Sequence, residues 1–296
     1  YAAALNTGLT GGPTLFTLAS VVEDLPTNFR FGGEDYIPGN FHGAFHGEIR
    51  LRQAFTKSLN IPTVRIASSV GLRRIVELAH DSGIRSPLRA TPALALGAYE
   101  VTPLELAGAY GTFANGGEWV EPGMVEEIRD DRGTVLYSRR PERKKALPPQ
   151  LNFLMVSLMR GVVLRGTGAG VNRYSIPVPV AGKTGSSRDG WFAGFTTELV
   201  AAVWVGYDDN RDLQLEGAKS SLPIWANFMK RAVGILGKPE PFREPAGLIN
   251  VEIDRETGLQ AGPTCIDTGT EIFFHGTAPR YCDRDHSLLA TTGEMH

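Results

Sequence analysis

Residues 180–209 read VAGKTGSSRDGWFAGFTTELVAAVWVGYDD. Three extended runs are legible around this stretch, IPVPVAGKTGS, WFAGFTT and LVAAVWVGYDD, parted only by SRD and by a tight turn near Glu198. Parallel strands need crossovers of about a dozen residues or more, so connections this short predict an antiparallel meander. The Gly-Lys-Thr inside it does not read as a phosphate loop. Such a loop has a glycine five residues ahead of Gly-Lys-Thr and opens a helix. Here Pro177, which has no amide hydrogen, holds that place, and Gly185 and a loop follow. A tight strand end with an incidental lysine is the plain alternative.

Helical patterns surround the meander. Residues 50–84 carry Leu72, Ile75, Val76 and Ala79 at helical spacing and predict two helices broken near Pro62, with Gly83 as the stop. In 100–117, Thr102 reads as an N-cap, Pro103 as the first helical residue, Glu105 as the partner in a capping box, and Gly116-Gly117 as the end. Residues 123–138 predict a hairpin about DDRG at which a sheet begins or extends, and the basic stretch 139–150 a solvated loop. Helices return at 151–163 and at 221–235, the latter with Trp225, Phe228 and Met229 as anchors. The Pro/Gly-rich tail from about 239 holds a short strand pair around LINVEIDRETGLQAG, and no internal repeat is present.

The chain of 296 residues is long enough to bury roughly 75% of its unfolded surface and needs no staples. With 42% hydrophobic residues, 21% charged residues and a formal net charge of -2, it is neither disordered, nor a nucleic-acid binder, nor polybasic. The longest apolar runs, such as ELVAAVWVGY, fall short of the ~20 residues of a spanning helix. The opening YAAALNTGLTGG has neither Met nor a signal-like segment, and the expectation is a fragment of a longer polypeptide. Cys265 and Cys282 predict a disulfide whose loop would contribute about 3 kcal/mol through chain entropy, and which would point outside the cytosol. Free thiols and a zinc site with His275 or His286 are the alternatives, zinc ranking last because the spacings are irregular.

Ser58, followed by Leu59 and Asn60, lies 125 residues ahead of Lys183. Alone, Ser-x-Asn is an ordinary cap or turn. Followed by Lys-Thr-Gly on a strand, it suggests a penicilloyl-serine type of site. GEIRLRQAFTKSLNIPTVRIA, ALGAYEVTPLELAGAYGTFANGG, VLRGTGAG, the meander and GTAPRYC together resemble, in order and spacing, the transpeptidase domain of class A penicillin-binding proteins over residues 1 to about 283.

That resemblance implies an α+β fold: an antiparallel sheet covered by helices, plus a helical lobe, with the site between lobe and sheet edge. Residues 1–238 would form the transpeptidase domain and 239–296 a C-terminal extension. The implied activity is serine D-Ala-D-Ala transpeptidation, which cross-links peptidoglycan stem peptides, with an amine acceptor and with beta-lactams as inhibitors. No cofactor, metal or nucleic acid is implied. The parent would also carry a glycosyltransferase and a membrane anchor upstream, which places this part outside the cytoplasm. Lys183, Thr184, Gly185 and Ser186 would bind the substrate carboxylate and backbone, and the Ser186 amide would supply half an oxyanion hole. Ser58 would relay a proton to the leaving amine, and Asn60 would hold the donor carbonyl and orient the catalytic lysine. Ser186 stands where the family more often has threonine. The family's Ser-x-x-Lys, nucleophile and base, does not occur in the chain, and is expected about two helical turns before Tyr1. The 296 residues alone are therefore expected to be inactive. A D,D-carboxypeptidase or beta-lactamase-like hydrolase, or a non-catalytic binder of muropeptides or beta-lactams, would share these motifs. HGAFH, with His42 and His46, is a weak metal pattern, and Trp191 and Phe192 read as sheet packing.

Overall fold

The computed structural model describes residues 1–11, 15–41, 43–237, 240–284 and 286. Its central sheet has three strands, with Gly190–Phe195 in the middle, Val200–Val205 on one side and Ala181–Ser186 on the other. Both pairings are antiparallel, with Ala193 opposite Lys183 and opposite Ala202, so the meander forms as expected. Ala181–Ser186 is an edge strand.

Alternation along the central strand sends its aromatics to opposite faces. Phe192 packs, tilted and with 4.7 Å between ring centroids, against Trp225 of the helix Ser221–Leu236, among Val163, Leu222 and Met229. Phe195 enters the main core, beside Tyr110 and Phe242 and against Leu151, Leu154, Leu158 and Val162 of the helix Pro149–Arg165. Phe228, expected as a third anchor, is 52% exposed, while Trp225 and Met229 are fully buried. The buried stripe runs through Leu222, Trp225, Ala226, Met229 and Val233, and Phe228 falls about a third of a turn from its centre at 100° per residue.

The helical lobe breaks near Pro62, just ahead of it rather than at it, and breaks a second time, which the sequence did not predict. Its helices are Leu51–Thr56, Asn60–Val70 and Leu72–Asp81. Pro62 sits in the first turn of the second, where its missing amide hydrogen costs nothing. The breaks fall at Ser58, whose φ of 56° is left-handed, and at Gly71, with φ 98°.

Pro103–Ala114 has the expected capping box, with the Thr102 hydroxyl accepting the Glu105 amide and Glu105 accepting that of Thr102. Glu105 also accepts the Arg85 and Ser86 amides and the Ser86 hydroxyl. Burial opposes its charge, yet these hydrogen bonds hold its carboxyl at about 2. A carboxylate held low in the folded state stabilises fully above its ordinary value of 4.5, and the contribution disappears as pH falls toward 2. Glu105→Gln is therefore expected to cost about 1 kcal/mol at pH 7 and to flatten the acid limb of stability between those limits, read by urea unfolding against pH.

The hairpin Glu127–Arg129/Val135–Ser138 turns about Asp130–Gly133 as expected, but forms a sheet of its own. Within the expected loop 139–150, Arg143–Lys145 instead pairs with Glu118–Val120. In the tail, Leu248–Asp254 pairs with Thr268–Phe274 rather than with the residues right after it, while Gln260 bridges Ile253 and Tyr281. This unit is fastened to the lobe by Arg52, whose guanidinium meets Glu271 through two bonds of 2.6 Å and also bonds the Ser157 carbonyl and hydroxyl. No helix among the described residues is long and apolar enough to cross a membrane.

Candidate active site

Ser58 closes the helix Leu51–Thr56 in the left-handed position where helices usually place glycine. A non-glycine residue there carries backbone strain that its surroundings must hold. Leu59, 7% exposed, pins the turn into the main core. The Leu59 amide bonds the Ala54 carbonyl and the Ser58 amide that of Phe55. The Ser58 side chain is thereby left exposed at the rim of the lobe.

A second layer secures the turn from below. Asn40, buried, accepts the Asn60 amide on Oδ1 at 2.9 Å and donates through Nδ2 to Asp24 at 2.7 Å and to the Ala44 carbonyl. Asp24, fully buried, accepts the His46 amide and meets its Nδ1 at 2.7 Å. His46 of the HGAFH pattern thus faces a structural aspartate, and His42 lies outside the described residues. Sequence reasoning missed Asp24 and Asn40, since no local spacing links them to Asn60.

Lys183 leaves the edge strand toward the lobe. Its Nζ donates to Ser58 Oγ at 2.7 Å and to the Thr184 carbonyl at 2.9 Å, so the motifs 125 residues apart meet. Desolvation lowers the ammonium from 10.5 to about 8. Among the described residues no carboxylate pairs with it. An ammonium has three hydrogens, and these two bonds leave one for a ligand.

The other expected residues are placed differently. Thr184, on the opposite face by alternation, is buried and shares a 2.6 Å hydrogen bond with the Thr167 hydroxyl. Its hydroxyl, expected on a carboxylate, is engaged with Thr167 in this arrangement. Ser186 is exposed and its Oγ accepts the Gly217 amide at 2.9 Å, which leaves its own O–H free to donate. Gly185 lies opposite Trp191, whose Cβ would stand 3.1 Å from a Cβ added at 185, so a side chain there would crowd the strand. Phe192 is core packing; half-buried Trp191 donates to Asp189 at 3.0 Å. Asn60 donates from Nδ2 to the Gly39 carbonyl at 2.6 Å, so one amide hydrogen is committed to that loop and one remains. A cleft of about 580 Å³ lined by Phe29, Phe31, Ser68 and Leu72 shares no residue with this arrangement. Cys265 and Cys282 are free thiols rather than the expected disulfide.

The family model described as the penicillin binding protein transpeptidase domain matches residues 27–230, and that of the penicillin-binding protein 1A C-terminal domain matches 244–287. Penicillin-binding protein 2D of Bacillus subtilis (strain 168) is 37% identical over 276 residues, covering 89% of this chain and 40% of its own length. Penicillin-binding protein 1A of Aquifex aeolicus (strain VF5) is 36% identical over 263 residues, covering 87% of this chain and 35% of its own. The chain thus spans about two fifths of the length of these curated relatives or less. The crystal structure of penicillin-binding protein 1A from Haemophilus influenzae superposes with a TM-score of 0.83 at 30% identity, covering 94% of this chain and 47% of that one.

Proposed function

The chain belongs to the transpeptidase family of class A penicillin-binding proteins, and from that premise we propose that its Ser58–Lys183 pair serves D-Ala-D-Ala transpeptidation in peptidoglycan synthesis outside the cytoplasmic membrane. The observation that carries this reading is Lys183: a desolvated ammonium with no ionic partner among the described residues, bonded to a serine hydroxyl beside a free sheet edge.

Apart from the nucleophile and its base, each need of the reaction has a group suited to it. A stem peptide adds to the edge strand as a further strand, its terminal carboxylate taken by the Lys183 ammonium and the Ser186 hydroxyl. The Ser186 amide donates to the developing oxyanion. The remaining Asn60 hydrogen holds the donor's amide carbonyl. Ser58 Oγ, polarised by Lys183, passes a proton to the departing D-alanine nitrogen, and an amine of a neighbouring stem then resolves the acyl-enzyme. Thr184 acts indirectly, by fixing the strand to Thr167. The acylated serine and its base must come from a Ser-x-x-Lys, which these 296 residues do not contain. We also assign 1–238 to the catalytic unit and 239–296 to an extension held to it by Arg52 and Glu271.

Fluorescent penicillin applied to the native polypeptide tests the reading, and the expected result is a covalent label on a Ser-x-x-Lys serine. A native polypeptide without that motif, or one that takes no covalent label, overturns it. Cross-linked dimer against released D-alanine then separates transpeptidation from hydrolysis.

A further inference from the structure

Far along the chain from this pair, both cysteines gather with an acid and a histidine. Asp254 ends the strand Leu248–Asp254, Cys265 lies in the connection to Thr268–Phe274, Cys282 follows the bridging Tyr281, and His286 comes four residues later. One donor atom from each lies within 4.8 Å of all the others. Cys282 Sγ stands 3.6 Å from His286 Nε2 and 3.9 Å from Asp254 Oδ2, and those two atoms are 3.5 Å apart. Zinc bonds of about 2.3 Å to sulfur and about 2.0–2.2 Å to nitrogen and oxygen give tetrahedral edges of roughly 3.3–3.8 Å. These three edges fall in or next to that range, and Cys265 Sγ lies within 4.8 Å of all three atoms.

The surrounding groups suit the same ion. Glu256 Oε2 lies 3.6 Å from His286 Nδ1, the nitrogen turned away from the cluster, as carboxylates do behind metal-bound histidines. The Gly262 amide donates to Cys265 Sγ at 3.3 Å, and Asp254 Oδ2 accepts the Thr257 amide and hydroxyl at 3.1 and 2.6 Å. Asp254, Cys282 and His286 are buried and Cys265 is half-buried, so four protein ligands would enclose the ion with no position kept open. Two thiolates, an imidazole and a carboxylate favour zinc over magnesium or calcium, which take oxygen donors.

We propose that Asp254, Cys265, Cys282 and His286 hold a structural zinc ion that clamps the connection after Asp254 and the chain beyond Tyr281 to the strand pair Leu248–Asp254/Thr268–Phe274. Binding forms two sulfur–zinc bonds and releases the thiol protons to solvent, with no change of oxidation state. The irregular spacing ranks zinc last in the sequence, and the long-range strand pairing selects His286 over His275 and adds Asp254.

The test is metal analysis of the chain purified without chelator, with thiols counted in denaturant without reductant. The expected result is stoichiometric zinc, both thiols titratable once denatured, and loss of zinc in Cys282→Ser and His286→Gln. His275→Gln, outside the cluster, is expected to keep the ion. If a variant fails to fold, zinc-edge X-ray absorption of the unaltered chain decides, with a shell of two sulfurs and two lighter donors expected. A shell without sulfur, a chain that binds no added zinc while both thiols are free, or a mass two hydrogens lighter with no titratable thiol would each overturn the proposal.

Discussion

Lys183→Ala is expected to slow penicillin acylation of the native protein by about 10²- to 10³-fold, because one side chain both seats the carboxylate and polarises Ser58. The pH dependence carries more information than the loss alone. The reading uses the ammonium form, whose pKa lies at about 8, so acylation should fall as pH rises through that value. Stability should move the other way. The folded-state value lies below the ordinary 10.5, so the unfolded chain binds more protons between the two, and the folded state gains as pH climbs from about 8 toward 10.5. Lys183→Met, which keeps the stem and drops the charge, should be slowed to a similar extent yet be no less stable than the unaltered chain at pH 7. An acylation rate that rises through pH 8 would show that the free amine works as a base, and would sink the assignment of the ammonium to the carboxylate.

Glu271→Gln is expected to destabilise the chain by about 3–5 kcal/mol, since it leaves the Arg52 guanidinium buried without its counter-charge. Arg52 is 8% and Glu271 2% exposed, so little water can replace the lost bonds. For a chain of this size the melting temperature should fall on the order of 10 °C. Replacing both partners, as Arg52→Met with Glu271→Leu, should recover most of the loss, because apolar groups of similar volume pay no desolvation for charge. Thermal unfolding of the two variants measures both effects. A single-variant cost near that of a surface pair, under about 1 kcal/mol, would mean that the pair is solvated.

What was readable in the sequence was what local physics decides. The capping box at Thr102 and Glu105 formed as written, because cap and partner are three residues apart and need no distant group. The meander formed because connections of three or four residues leave the strands no other pairing. Structure and local pattern part where a residue type has more than one use. Pro62 reads as a breaker but is also at home in a first turn, and the break went to Ser58, a residue that nothing local marks as left-handed. Phe228 lay within a strongly apolar run, and only the direction of the sheet showed that its side of the helix faces out.

The candidate site divides along the same line. Ser58-Leu59-Asn60 and Lys183-Thr184-Gly185-Ser186 were visible as motifs, and the order in which they occur pointed to one chemistry. Their meeting at 2.7 Å, the support of Asn60 by Asn40 and Asp24, and the turning of Thr184 toward Thr167 were not visible. Around Cys282, the choice of His286 over His275 and the approach of Asp254 were hidden for the same reason. By itself the sequence determined the elements, the edge-forming meander and the residue types of the site, since these follow from spacing within about twenty residues. Only the tertiary structure decided which distant side chains share a hydrogen bond, a buried charge pair or a tetrahedral cluster, because those contacts close loops of up to 219 residues and leave no local trace.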